Sequence, residues 1–184
     1  PVVVLLPAYA KEILHGSADT LGYLMAALGA GALCGALYMA SRKTVLGLGR
    51  IISLSIGVYG LALALASFSQ VTWVSMTIFF FTGLTMVLSL SSINTMLQTI
   101  ADEDKRGRVM SFYAMALMGT TPIGNLLSGT LASGIGIPYT LLISGTITVL
   151  SAAWLWLNLK SLRKYVRPIY INKGILPGLP HDIN

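Results

Sequence analysis

The side chains best placed to do chemistry in this sequence are neutral and hydrogen-bonding. Ser91, Asn94 and Gln98 follow one another at i, i+3 and i+7, and Thr121, Asn125 and Ser128 at i, i+4 and i+7. In helices each set shares one face. Their amides and hydroxyls can bond a neighbouring helix, or they can wall a wet cavity and bond a solute there. Both uses are open from the residues alone. No His/Cys/carboxylate cluster has metal-ligand spacing, no Ser–His–acid set occurs, and no Gly-rich phosphate loop of the Walker type is present. The expectation is no catalytic residue, no metal, no cofactor and no ATP hydrolysis, hence not an enzyme. His15 and His181 fall outside the apolar stretches, with no partners to name.

The elements that carry these residues follow from where charge is missing. Of 184 residues, 55% are hydrophobic and 10% charged, with a mean hydropathy of +0.78. A soluble domain carries roughly a quarter charged residues to cover its surface, so this deficit implies a surface facing lipid. No Asp, Glu, Lys, Arg or His occurs in 20–41, 51–101 or 109–159. About 20 apolar residues cross a bilayer as a helix, so the first stretch holds one span and the others two each. The runs are continuous rather than alternating, which excludes barrel strands. Helices satisfy their own backbone groups where lipid cannot. The fold class expected is all-α, a polytopic membrane helix bundle. Residues 1–160 form its transmembrane part: the end of one helix, finishing near Tyr9, then spans of about 20–40, 50–66, 71–100, 108–133 and 139–159. Residues 161–184 form a basic tail that runs along the membrane surface and turns irregular beyond Pro168. The apolar run 2–6 is too short to cross, and the chain starts at Pro1, so the first helix is expected to be truncated.

Orientation follows from the connections. Lys11 is alone on one side, whereas Arg42, Lys43, Arg50, Lys105, Arg106, Arg108, Lys160, Arg163, Lys164, Arg167 and Lys173 fall on the other. By the positive-inside rule that second side, with the C-terminus, is cytoplasmic. The net charge of +6 thus points to anionic lipid and topology, and nucleic acid is not an expected partner. Trp73 falls near the outer interface and Trp154 and Trp156 near the inner one, as aromatic belts do. Gly31 and Gly35 form a GxxxG, and Gly124/Ser128 and Gly129/Ser133 repeat the small-residue spacing, either for close packing or for a sliding surface. Pro122 removes a backbone hydrogen bond mid-span, as a static kink or a pathway kink. In the loop 101–108, Asp102, Glu103 and Asp104 precede a helix start, and Arg106 and Arg108 can pair with them, as a topogenic loop or as a latch. Cys34 is the only cysteine and allows no internal disulfide.

The segment Arg106-Gly107-Arg108-Val109-Met110-Ser111-Phe112-Tyr113, followed by Met115, Gly119, Pro122, Gly124 and Gly129, resembles the RGRVMS-x-Y-x-M…G-x-x-P-x-G pattern of major facilitator superfamily exporters. The branch it is most similar to holds the enterobactin exporters and macrolide-efflux proteins. Asn94-Thr95-x-x-Gln98, and Gly22-Tyr23-Leu24-Met25 leading into Gly29, Gly31 and Gly35, look like the same branch, and the likeness covers most of residues 8–170. It implies the C-terminal six-helix half of a twelve-helix transporter, the truncated helix being the seventh. The missing N-terminal half would supply the other cavity wall. The superfamily's signature loop would repeat at 41–50, where Gly49-Arg50 stands but no acid does.

The resemblance implies efflux of an amphiphilic small molecule, such as a drug, macrolide or siderophore, across a bacterial inner (plasma) membrane by alternating access. The expected partners are the lipid bilayer, that small-molecule substrate and the N-terminal half of the same protein. Ser91, Asn94, Gln98, Thr121 and Asn125 are the candidate cavity residues; Asp102, Asp104, Arg106 and Arg108 the candidate latch; Gly31, Gly35, Pro122, Gly124 and Gly129 the packing and kink positions. Proton coupling, if the parent uses it, is expected to lie in the missing half, because the charge-free stretches hold no titratable carboxylate or His. A non-transporting sensor or scaffold with a degenerate transporter fold, and an importer of the same superfamily, are the alternative readings.

Overall fold

The computed structural model describes residues 2–172. These form six helices: α1 Val2–Glu12, α2 Ala18–Ser41, α3 Leu48–Ala66, α4 Thr72–Ile100, α5 Arg106–Ile135 and α6 Ile137–Asn172. The breaks between them fall at polar or glycine residues. Ser17 caps α2, its Oγ accepting the Asp19 N–H at 3.3 Å. Gly47 (φ 82°) starts α3 and Gly136 (φ 87°) turns α5 into α6; only glycine holds that backbone without a Cβ clash. The Ser67–Gln70 hairpin joins α3 to α4.

Four helices are long and apolar enough to cross a membrane: α2, α3, α4 and the Ile137–Leu162 part of α6. The chain is a membrane helix bundle. The expected fourth span, α5, is a full 30-residue helix but is not among those four. The cause is its middle, where Gly119, Thr120, Thr121, Pro122, Gly124, Asn125, Ser128 and Gly129 stand between the aliphatic residues.

Two boundaries differ from the sequence expectation. α1 continues past Tyr9 to Glu12. The basic tail does not separate at residue 161 or turn irregular at Pro168, because α6 runs unbroken through Pro168 to Asn172. Leu155, Leu159, Leu162, Val166 and Tyr170 recur every three or four residues and line one apolar cavity with the start of α3, which extends the helix by packing. Expectations for Lys173, Pro177, Pro180 and His181 lie outside the described residues.

α4 packs against α2 and α3, and α3 against α6, giving the order α2–α4–α3–α6. The closest contacts are between backbones. A Cβ on Gly31 would overlap the Phe80 carbonyl, one on Gly83 the Leu28 carbonyl, and one on Gly35 would stand 2.7 Å from the Leu84 carbonyl. Residue numbers rise together at these contacts, so α2 and α4 are parallel. Between α3 and α6, a Cβ on Gly60 would lie 2.8 Å from the Gly145 carbonyl and one on Gly145 2.6 Å from the Ala64 nitrogen. The pairing of Gly57 with Ala152 and of Gly49 with Leu159 runs in opposite senses, so these helices are antiparallel.

The hydrophobic core gathers at the hairpin end. Leu5, Leu6 and Tyr9 of α1 meet Leu24, Leu63, Phe79, Ile137 and Leu141 there. The Tyr9 hydroxyl, on a residue only 1% exposed, lies 3.0 Å from the Ala66 carbonyl, the Ser69 carbonyl and Ser75 Oγ. It can donate to a carbonyl and accept from Ser75, tying α1 to both sides of the hairpin. Its ring meets Phe79 edge-on, 5.4 Å between centroids. Other buried hydroxyls turn back on their own helices: Thr82 donates to the Ile78 carbonyl, Thr85 to that of Phe81 and Thr140 to that of Gly136. The outside is apolar, with Leu33, Leu37, Leu54 and Leu157 exposed, as a lipid-facing surface requires.

Gly29 and Gly31 lie two residues apart on α2, and a Cβ on Gly29 meets nothing within 4 Å. Gly31→Leu is therefore expected to lower stability by about 3 kcal/mol or more, the upper end of overpacking costs, because main chain must move. Gly29→Leu is expected to change it by less than about 1 kcal/mol. Thermal unfolding of both variants in detergent checks this, and equal midpoints would show that the α2–α4 contact does not set stability.

Candidate functional site

The two polar rows sit on helices that scarcely touch. α4 ends at Ile100 and α5 starts at Arg106, at the same end of the bundle. With a rise of 1.5 Å per residue, Gln98 lies about 3 Å, Asn94 about 9 Å and Ser91 about 14 Å from that end of α4. Thr121 lies about 22 Å and Asn125 about 28 Å along α5. The structure thus places the rows at staggered depths and does not bring them into one cluster. Tyr113 ties the helices at the lower level, its hydroxyl donating to the Leu90 carbonyl at 3.5 Å.

Within α4, the exposed Gln98 donates from Nε2 to Oδ1 of the half-buried Asn94 at 2.8 Å. Among the described residues the Asn94 amide N–H groups and the Gln98 carbonyl oxygen make no further hydrogen bond. Ser91 beside them is half-buried. The neighbouring Ser92, not among the expected site residues, is fully buried and reaches Met39 Sδ of α2 at 3.5 Å. One position in the sequence separates a fully buried hydroxyl from a half-buried one.

α5 is the least packed helix. Ser128 is its one buried residue among those described. Phe112, Met118, Ile123, Leu126 and Leu127 are exposed, and a Cβ at Gly119, Gly124 or Gly129 would meet nothing within 4 Å. Gly124/Ser128 and Gly129/Ser133 share the small-residue spacing of Gly31/Gly35, but among the described residues no other helix lies within reach of a Cβ at Gly124 or Gly129. Thr120 and Thr121 donate to the Ala116 and Leu117 carbonyls, both at 2.6 Å, in the turn that Pro122 deprives of an N–H. Asn125, half-buried, makes no side-chain hydrogen bond among the described residues. On the helical wheel Ser111, Ala114, Thr121, Asn125 and Ser128 fall on one side, with Met118 among them; Phe112, Ile123 and Leu127 fall opposite.

The candidate latch residues lie in and next to the α4–α5 loop. Among the described residues the ion pair of the α4–α5 loop joins Lys105 to Asp102, 3.7 Å apart and both well exposed. Arg106 and Arg108 lie exposed in the first turn of α5, and Asp104 is exposed in the preceding turn. An exposed pair of this kind contributes little to stability. Among the described residues no group of three or more His, Cys, Asp or Glu can hold a metal.

The family model described as transmembrane secretion effector matches residues 1–166, and the chain belongs to that family, within the major facilitator superfamily of membrane transporters. No curated protein and no solved structure gives a significant match. The chain is therefore an integral membrane protein of a transporter family.

Because α5 packs so little, local backbone chemistry should govern its response to Pro122→Ala. Restoring an N–H and removing the ring is expected to raise stability by about 1–3 kcal/mol. A lower unfolding midpoint of the variant would instead show that the proline shapes a contact the helix needs.

Proposed function

We propose that this transmembrane secretion effector is one half of a secondary active transporter that exports an amphiphilic small molecule, such as a drug, macrolide or siderophore, by alternating access. The observation that supports it is α5. This helix lies between two membrane-crossing helices in the chain, yet its small and polar side is too polar for hydrocarbon and, among the described residues, is exposed at Ser111, Ala114 and Thr121 and covered only toward Ser128. In a bilayer such a side must face protein or water. A second helical unit of the same transporter, rocking against α5 and the basic-end half of α4, meets both needs in turn.

In this reading α5 and α4 form one wall. Asn94 and Gln98 present their paired amides near the basic end, and Thr121 and Asn125 offer hydrogen bonds deeper in. Met118, on the same side of α5, takes the greasy part of the substrate. The staggered rows suit a solute that moves along the wall and is not fixed at one point. The open glycines of α5 let the opposing unit slide close when the path shuts. Eleven of twelve Lys and Arg residues favour a cytoplasmic basic end in a bacterial inner membrane. The likeness to enterobactin and macrolide exporters favours proton coupling. No carboxylate or His interrupts residues 20–41, 51–101 or 109–159, so the coupling group belongs to the other half.

Efflux of a fluorescent amphiphile from cells carrying the full-length protein tests this. Asn94→Leu, Gln98→Leu and Asn125→Leu are each expected to slow efflux by about 5- to 100-fold, the effect of leaving a polar group of the substrate unsatisfied. Membrane expression should stay near wild type, and the residual efflux should stay sensitive to a protonophore. Unchanged efflux in all three removes these residues from the path; protonophore-insensitive efflux in a variant places coupling in this chain; net uptake makes the protein an importer.

A further inference from the structure

The α3–α4 hairpin is polar within and apolar without. Ser67 Oγ donates to the Ala64 carbonyl at 2.6 Å. Ser69 and Ser75 join their Oγ atoms at 2.8 Å, with the Tyr9 hydroxyl 3.0 Å from Ser75. The N–H groups of Ser67, Phe68 and Ser69 bond the Leu63, Leu65 and Ala66 carbonyls. The bulky apolar side chains turn outward: Phe68 is 73% exposed, Val71 56% and Trp73 76%. A turn standing in water would show the reverse, since water satisfies polar groups and penalises exposed apolar surface.

The length of α3 sets the depth of this hairpin. No charged residue occurs in 51–101, so the charge that precedes it on α3 is the exposed Arg50. That guanidinium stays ionised and belongs at or outside the hydrocarbon boundary of the basic end. From Arg50 to Ser67 the chain rises about 26 Å along the helix. The hydrocarbon core is about 30 Å thick. A tilt of about 20° shortens the rise to about 24 Å. Even with the Arg50 side chain stretched back by about 5 Å, the hairpin reaches no higher than the far edge of the hydrocarbon. α4 starts at Thr72, so its surplus length lies at the other end. At the hairpin end Lys11 and Glu12, both exposed, follow Tyr9 on α1, and Lys11 stands about 3 Å further along that helix. Charge thus begins just past the level of the hairpin.

We propose that the α3–α4 hairpin is seated in the lipid interface at its end of the bundle, with Phe68, Val71 and Trp73 among the upper acyl carbons and ester groups. The partner this surface fits is a lipid leaflet. An uncharged turn with its hydrogen bonds closed internally can enter that layer, and apolar and aromatic side chains gain by doing so. Seated there, the hairpin fixes the depth of α3 and α4 and, through Tyr9, of α1. The inference rests on the chain crossing a bilayer and not on its carrying a substrate.

Spin labelling of the full-length protein in phosphatidylglycerol–phosphatidylcholine vesicles tests it, after Cys34→Ser and replacement of any other cysteine. Labels are attached at Phe68→Cys in the hairpin, Leu65→Cys on the exposed side of α3 and Asp19→Cys in the first turn of α2, all exposed positions. Collisions with a water-soluble nickel chelate are expected to be about tenfold rarer at residue 68 than at residue 19, because a polar solute is excluded from that layer. Collisions with oxygen, which concentrates among acyl chains, should match those at residue 65. Nickel collisions as frequent at 68 as at 19 put the hairpin in water and overturn the proposal. Few collisions with either reagent mean that protein covers the hairpin, and overturn it as well. Trp73→Cys gives the same reading if Phe68→Cys fails to fold.

Discussion

Everything in this bundle depends on how closely one backbone can approach another. Between helices in hydrocarbon there is no hydrophobic drive, because lipid tails are as apolar as leucine, so packing contacts and polar links must hold the helices together. The chain meets that constraint at two glycine seams. Gly31, Gly35 and Gly83 join α2 to α4 in parallel, and Gly60 and Gly145 join α3 to α6 antiparallel. The hairpin end adds one polar hub in the Tyr9 hydroxyl. Interhelical hydrogen bonds in membranes contribute about 0.6 kcal/mol on average and up to about 1.7, so the hub positions α1 more than it stabilises the whole.

The same constraint isolates α5. A small residue permits close approach only if another backbone lies against it, and among the described residues none does at Gly119, Gly124 or Gly129. The seams fix α2, α4, α3 and α6 as a frame, while α5 is held chiefly toward its C-terminal end, where Ser128 is buried, and by Tyr113 toward the other. A helix held loosely on a rigid frame, with a polar side left open, has the properties of a moving wall. That links packing to the proposed function more directly than any single amide does.

Much of this was legible in the sequence. The charge-free stretches pointed to an all-helical membrane bundle, and that is the fold. What escaped required tertiary information. Gly83 belongs to no GxxxG, yet it is as tightly approached as Gly31, because its partner is the Leu28 carbonyl on another helix. Gly124, four before Ser128, and Gly129, four before Ser133, have the expected spacing and among the described residues no close neighbour, so spacing alone cannot separate a seam from an open face. Tyr9 looked like the end of a helix until the α3–α4 hairpin folded over it. The α6 extension was hidden by its charges: Lys160, Lys164 and Arg167 dominate the composition, while the stripe from Leu155 to Tyr170 decides the structure. Ser92 and Ser91 are identical in type and adjacent, and only packing assigns one to the core.

The central claim is that the small, polar side of α5 faces a water-filled path. Cysteine scanning along α5 in the full-length protein, after Cys34→Ser, tests it with a membrane-impermeant thiol reagent. Reactivity is expected at Ser111, Ala114, Thr121 and Asn125, with protection at Phe112, Ile123 and Leu127, and substrate should slow the reaction at the first set. Uniform protection along the helix, or reactivity with no helical period, would contradict it.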